Sequence, residues 1–265
     1  MEAKPYTTLG IEPVGDHVAL VRLDRQNVLN ALNTQMCRDL VNYFEQVAAD
    51  AGGLRCIVVT GAGERAFSSG ADLKERGDMN DQAWIRQHVA LERMIHAMLD
   101  CLVPIVGAVN GIAYGGGCEI ANCCDFLYAA ETARFAFPEA TLGIMPGGGG
   151  TQTLPRAVGE RRAKELIFTG RPFSAAEACR WGLVNAVFPP DELLPAALAT
   201  AQAIARAAPI AVLQAKQAIH RGLQLPIHNG LAIEIEAFNR LVSTQDRREG
   251  VSAFNAKRPP KFEGR

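Results

Sequence analysis

The chain has 265 residues, enough to bury one substantial core, and its 48% hydrophobic content suits a single main globular domain. Its 27 basic and 28 acidic side chains leave a formal net charge of −1, which offers a polyanion no global attraction and argues against bulk nucleic-acid binding. No segment reaches the roughly 18 uninterrupted apolar residues of a membrane span, and residues 1–6 lack the look of a signal or transit peptide.

In chain order, residues 17–23 alternate as a strand, and residues 33–49 place Met36, Leu40, Val41, Phe44 and Val47 on one helical face. Residues 54–60 are β-branched and unbroken, a buried strand stopped by Gly61 and Gly63, and a loop runs through residues 68–72. A helix is predicted over residues 81–99 and another buried strand over residues 104–109. A glycine run at residues 115–117 follows, then a small-residue helix over residues 118–124 and short strands over residues 125–130 and 134–137. Past Gly150 the pattern is helical at residues 161–169, 174–181, 191–207, 209–222, 226–242 and 244–256, with only residues 183–188 reading as extended. Ser174 and Glu177 fit a capping box. The architecture is an α/β core followed by a helical C-terminal part, a kind of region that often packs against other subunits.

Two glutamates stand in telling contexts. Glu119 closes the first glycine run, inside the apolar stretch Cys118, Ile120 and Ala121, where a carboxylate is costly unless partnered or functional. Glu139 follows Phe137 and Pro138, shortly before a second glycine run at residues 147–150. Glycine lets main-chain N–H groups approach a ligand, and a helix starting there aims unpaired donors at developing negative charge. Paired carboxylates beside such backbone suggest acid/base chemistry on a polarised carbonyl, with the glycine turn as an oxyanion hole.

Other chemistries fit less well. A dinucleotide fingerprint starting at Gly115 needs a small residue at 120, where Ile120 stands, and neither glycine run is followed by the Lys-Ser/Thr of a phosphate loop. No Gly-x-Ser-x-Gly elbow exists, and His88, His96 and His220 read as surface histidines or histidines with satisfied partners. The seven cysteines form no CxxC pair, have no histidine at metal-ligand spacing and lie mostly in apolar stretches. They read as reduced thiols of a cytoplasmic protein, and no metal site is expected.

Six segments in order resemble the enoyl-CoA hydratase/isomerase (crotonase) family over nearly the whole chain: residues 30–33, 66–74, 109–119, 137–139, 142–152 and 164–170. The resemblance implies a spiral of ββα units over residues 1–200 with a helical C-terminal region, residues 201–265, that takes part in oligomerisation as a homotrimer or a homohexamer. It implies an acyl-CoA substrate whose thioester oxygen is held by the backbone N–H groups of Ala71 and Gly116. Coenzyme A then belongs to the substrate, and no separate cofactor is called for. Hydratases of the family carry both glutamates, matching Glu119 and Glu139, which hold a water over the C2–C3 double bond, whereas many isomerases keep one. Two carboxylates therefore favour hydration over a double-bond shift. The resemblance also places coenzyme A near Arg25, Ala31, Ser69, Gly70, Asp72 and Leu73, with Phe238 and Lys257 as contacts from a neighbouring subunit.

The segments at residues 70–76, 146–152 and 258–260 look closest to methylglutaconyl-CoA hydratase-like members. One such member binds RNA through a lysine-lined helix. Arg38 is the only basic residue of the corresponding stretch, residues 33–49, so nucleic-acid binding is not expected. The readings left standing beside a hydratase are another crotonase-type reaction, isomerisation above all, and an RNA-binding or scaffold protein with an unused site. The acyl-pocket wall is expected from residues 74–95 and from residues near Leu142.

Overall fold

A computed structural model describes residues 6–265. A hairpin of β1 (Leu9–Val14) and β2 (Val18–Leu23) pairs Leu9 with Leu23 in antiparallel register. β2 then lies parallel to β3 (Cys56–Gly61), and the sheet continues in parallel through β5 (Ile105–Val109), β7 (Phe126–Ala130) and β10 (Ala186–Phe188). A second, smaller sheet orders β4 (Ala66–Ser68), β6 (Ile112–Tyr114), β8 (Arg134–Ala136) and β9 (Phe173–Ser174). Three times the chain leaves a strand of the large sheet, adds a short strand to the small one and then enters a helix. That repeat is the spiral of ββα units the resemblance implies.

The central strands read as unbroken apolar runs because both faces are covered. In β3, Ile57 and Val59 join the cluster built by α1 (Thr34–Ala49) and α3 (Asp81–Leu99), through Leu40, Phe44, Met94 and Met98. Cys56 and Val58 point the other way, as strand alternation requires, and meet α8 (Pro190–Ala205). There Ala197, Ala201 and Ala205 recur every fourth residue, so one small-residue face of α8 lies close on the sheet. Each large aliphatic side chain buried in these layers contributes roughly 1.5–3 kcal/mol.

The structure differs from the sequence expectations at several points. The strand Leu9–Val14 goes unread in the sequence because Gly10, Glu12 and Pro13 dilute its signal, and they are tolerated because β1 is an edge. A short helix, α2 (Leu73–Gly77), follows the loop at residues 68–72, capped by Asp72 Oδ1, which accepts from the N–H groups of Lys74 and Glu75. The helix expected from residue 118 begins at Gly116, forming α4 (Gly116–Asn122). The second glycine run opens a further helix, α5 (Gly150–Val158), whose internal Pro155 masks it in the sequence. α6 (Glu160–Thr169) follows, and then α7 (Ala175–Arg180), where the capping box forms as expected: Glu177 N–H donates to Ser174 Oγ and Ser174 N–H to Glu177 Oε2.

Three helices complete the chain: α9 (Pro209–Gly222), α10 (Ile227–Val242) and α11 (Gln245–Asn255). α9 is pinned to the core by Lys216, whose Nζ donates to Asp125 Oδ2 at 2.8 Å and to the Val103 carbonyl at 3.1 Å. Among the described residues, no single helix is long and apolar enough to cross a membrane.

Candidate active site

A cavity of about 420 Å³ opens between the first turns of α2 and α4, the helix α3 and the segment that follows β8. Its size lies in the ordinary range for a small-molecule site. Glu119 and Glu139 both line it, as do Ser69, Gly70, Ala71, Leu73 and Gly116.

The backbone around Ala71 is arranged by a parallel bridge between Leu32 and Ala71. Leu32 makes both of its hydrogen bonds, donating to the Gly70 carbonyl at 2.8 Å and accepting from Asp72 N–H at 2.9 Å. The peptide groups of Ala71 therefore face away from Leu32, and Ala71 N–H donates to no partner among the described residues. Gly116 is the first residue of α4, so its N–H has no carbonyl one turn earlier within the helix. A Cβ at Gly116 would lie 3.7 Å from the Ala71 nitrogen, which puts the two donors side by side at the cavity wall. Gly115 enters this turn with φ +48°, a conformation that favours glycine.

The two carboxylates live in different surroundings. Glu119 sits in the first turn of α4, where its Oε1 accepts from Gly148 N–H at 2.7 Å and Gly150 N–H at 3.0 Å. The second glycine run is thus a clamp on Glu119, a role its position near Glu139 in sequence does not suggest. Burial pushes the Glu119 carboxyl above its usual value, opposed by those two N–H groups. Glu139 lies in the turn after β8, 8% exposed, and its Oε2 is buried without any hydrogen-bond partner. Burial raises its pKa to about 7, with the negative charge of Glu119 pushing the same way and its own backbone N–H and Arg76 opposing.

Other site residues expected from the sequence sit beside the cavity instead of in it. Arg25 Nη1 donates to Asp72 Oδ2 at 2.9 Å and to the Ala31 carbonyl at 2.7 Å. This ties together the two loops that present Leu32 and Ala71, and it holds the Asp72 carboxyl below its usual range despite the opposing effect of its burial. Phe238 on α10 and Lys257 after α11 do not line the cavity within this chain; Phe238 is exposed. His88, expected at the surface or with a satisfied partner, lines the cavity on α3 against Gly147. The wall expected from residues 74–95 and near Leu142 contains Arg76, Trp84, Leu91, Ile144 and Met145. Asn30, with φ +55° and buried, went unassigned in the sequence; its Nδ2 holds the carbonyls of Ala62 and Ala66.

A model of the family described as enoyl-CoA hydratase/isomerase matches residues 14–265. The chain belongs to the enoyl-CoA hydratase/isomerase family. It is 44% identical over 248 residues to a short-chain-enoyl-CoA hydratase of Clostridium acetobutylicum, covering 93% of this chain and 94% of that protein. It is 42% identical over 249 residues to a 2,3-dehydroadipyl-CoA hydratase of Escherichia coli, covering 94% and 96%. The crystal structure of an enoyl-CoA hydratase from Bacillus anthracis superposes with a TM-score of 0.96 at 41% identity, covering 98% of this chain and all of that one. The crotonase fold expected from the sequence is thus the fold of the chain, and its two glutamates belong to a family that works on acyl-CoA.

Proposed function

We propose that this chain is an enoyl-CoA hydratase, adding water across the C2–C3 double bond of a 2-enoyl-CoA thioester. The observation that carries the reading is a single cavity holding two buried carboxylates beside two unclaimed backbone N–H groups. The donors of Ala71 and Gly116 receive the thioester oxygen as it gains negative charge; one such donor is worth about 3 kcal/mol in other oxyanion holes. Polarisation leaves C3 electrophilic. Glu119, its Oε1 anchored by the N–H groups of Gly148 and Gly150, takes a proton from the attacking water in its ionised form as the oxygen bonds to C3. Glu139, with a pKa of about 7, supplies the proton that C2 receives. One water is thus added as a hydroxyl on C3 and a hydrogen on C2; Glu119 is left with the water's proton and Glu139 without its own, and loss of a proton from Glu119 to solvent with uptake of one by Glu139 restores both groups for the next turnover.

The carboxylates and the backbone supply this chemistry themselves, so coenzyme A enters only as the handle of the substrate, with no further cofactor or metal. The same reading makes the protein a homotrimer or homohexamer, supported by the apolar residues exposed on α9–α11, with Phe238 and Lys257 reaching a neighbour's coenzyme A. Seven free thiols, six of them buried, suit a reducing cytoplasm.

Incubation with crotonyl-CoA and longer or branched 2-enoyl-CoAs, followed by loss of enoyl absorbance, tests the activity. Hydration of at least one is expected. Hydration of none, with double-bond migration in a 3-enoyl-CoA, would give the site to an isomerase.

A further inference from the structure

Glu119, Glu139 and Arg76 are the charged side chains that line the cavity, with His88 and Tyr114 as the other titratable residues of its wall. Arg76 sits half-buried on α2, and desolvation disfavours its charge. Its head group is held in place. Nε donates to Gln87 Oε1 at 2.8 Å, and the guanidinium carbon stands 4.9 Å from the centroid of the Trp84 ring. Gln87 is itself fixed, because its Nε2 donates to Glu75 Oε2 at 2.6 Å and to Thr34 Oγ1 at 3.0 Å. The acidic groups nearest in sequence are answered elsewhere: Asp72 pairs with Arg25, Glu75 Oε2 also accepts from Thr34 N–H, and Asp78 and Asp81 are exposed.

Among the described residues the two terminal nitrogens of Arg76 make no hydrogen bond, and no ion pair joins it to either glutamate of the cavity. It is a fixed positive charge in the same wall as two carboxyls, held apart from both. Such a charge acts without contact, the more so where water is scarce. Burial raises the pKa of both glutamates, and the charge of Arg76 lowers both. The other groups close by add little charge. Burial keeps the thiols of Cys37 on α1 and of Cys118 and Cys123 at α4 protonated, the His88 ring on α3 rests against Gly147, and Lys74 and Arg86 are exposed. Hydration as proposed above moves one negative charge. It starts on Glu119, passes to the thioester oxygen as Glu119 takes the water's proton, and ends on Glu139 as C2 receives that residue's proton. Arg76 balances it at every stage. Without this cation the cavity would hold an uncompensated negative charge among apolar walls, which favours protonation of both carboxyls.

We propose that Arg76 is the fixed counter-charge of the two glutamates, a positioning residue that holds them to one negative charge between them and acts on water and thioester only through them. The inference rests on the hydratase reading for the direction of proton flow. Gln87 and Trp84 serve it by keeping the guanidinium in the wall and short of an ion pair. A direct pair with either glutamate would fix the charge on that residue and hinder its transfer.

The test records kcat/KM against pH for the best-hydrated 2-enoyl-CoA, in the wild type and in Arg76→Met, Arg76→Gln and Arg76→Lys. The wild-type profile should be a bell, its acid limb reporting ionisation of Glu119 and its alkaline limb loss of the Glu139 proton. Removing the cation raises both pKa values, so both limbs should move to higher pH by about one unit in Arg76→Met and Arg76→Gln. Arg76→Lys keeps the charge and should stay within about half a unit of the wild type. Infrared difference spectroscopy of the free enzyme across pH, with Glu139→Gln to assign the carboxyl band, reads the same shift without any turnover: the Glu139 midpoint should rise from about 7 in the neutral variants. Limbs and midpoint that stay put in folded neutral variants overturn the proposal, however far the rate falls, and leave the guanidinium a purely structural role. A lysine variant that moves with the neutral ones overturns it as well, because charge is then not what matters. Hydration of no thioester, with the midpoint still shifted in the neutral variants, sinks the hydratase reading alone and keeps Arg76 as the counter-charge of the pair. Should neither neutral variant fold, Arg76→Lys carries the test: limbs and midpoint that stay with the wild type support the proposal, and a move of a full unit overturns it.

Discussion

At the scale of single residues, the two glutamates differ in what surrounds their oxygens, and that difference sets their pH behaviour. Glu139 has a buried, partnerless Oε2 and a pKa raised to about 7. If its protonated form delivers hydrogen to C2, kcat/KM for hydration should fall as pH rises through about 7, because the donor loses its proton there. A pH–rate profile that is flat on both sides of that value would remove Glu139 from the donor role. The same shift has a stability sign. A folded pKa above the usual 4.5 means that the native state binds the proton more tightly than the unfolded chain, so wild-type stability declines as pH climbs from 4.5 to about 7. Glu139→Gln lacks that decline. Its melting temperature should therefore gain on the wild type across this window, and a gap that does not change with pH would contradict the assignment. In turnover, Glu119→Gln and Glu139→Gln should each lose roughly two or more orders of magnitude while the fold persists, since the amide keeps the shape and cannot trade a proton. Circular dichroism alongside the crotonyl-CoA assay separates loss of chemistry from loss of structure.

At the scale of elements, α4 carries the site, and two neighbouring glycines at its start should fail in different ways. A Cβ at Gly116 would meet the Leu32 side chain at 3.2 Å and sit beside Ala71 N–H, in the space proposed for the thioester oxygen. Gly116→Val should abolish hydration in a folded protein. A Cβ at Gly117 would instead run into the carbonyl oxygen of Ser68, a backbone atom that cannot rotate aside. Gly117→Ala should lower stability by roughly 1–3 kcal/mol, read by denaturant melts, because α4 must lift off β4. If Gly116→Val unfolds the chain while Gly117→Ala leaves it untouched, the placement of α4 is wrong. These elements also mark how far the sequence could be read. The buried strands at residues 54–60 and 104–109 were legible because apolar runs bounded by glycine mean strands covered on both faces. The glutamate at position 119 was legible as a misfit in an apolar helix. The role of Gly148 and Gly150 in holding Glu119 was not, because that contact joins positions some thirty residues apart and leaves no local pattern. Nor was the orientation of Arg76, which depends on Gln87 and Trp84 from the next helix.

At the scale of the whole molecule, the C-terminal helices present a surface that a single chain does not bury. Leu223 is 80% exposed, Ile227 70% and Phe254 84%, and Ile219, Leu231, Ile235 and Phe238 on the same helices are exposed as well. Exposed aliphatic and aromatic side chains gathered in one region mark an interaction surface, and closed symmetric assemblies of identical chains are the usual way to cover one. The proposed trimer or hexamer should give a light-scattering mass three or six times 28.5 kDa. Leu223→Glu combined with Ile227→Glu places charges where apolar contact is needed and should shift that mass toward the single chain. Neither residue lines the active-site cavity of its own chain. If Phe238 and Lys257 reach a neighbour's coenzyme A, breaking the assembly should weaken acyl-CoA binding, seen as a higher KM, with a smaller effect on kcat. A monomeric variant with unchanged KM would leave the assembly in place and strike those two residues from the binding site. A wild-type protein that stays monomeric at micromolar concentration would instead leave the apolar surface to another partner.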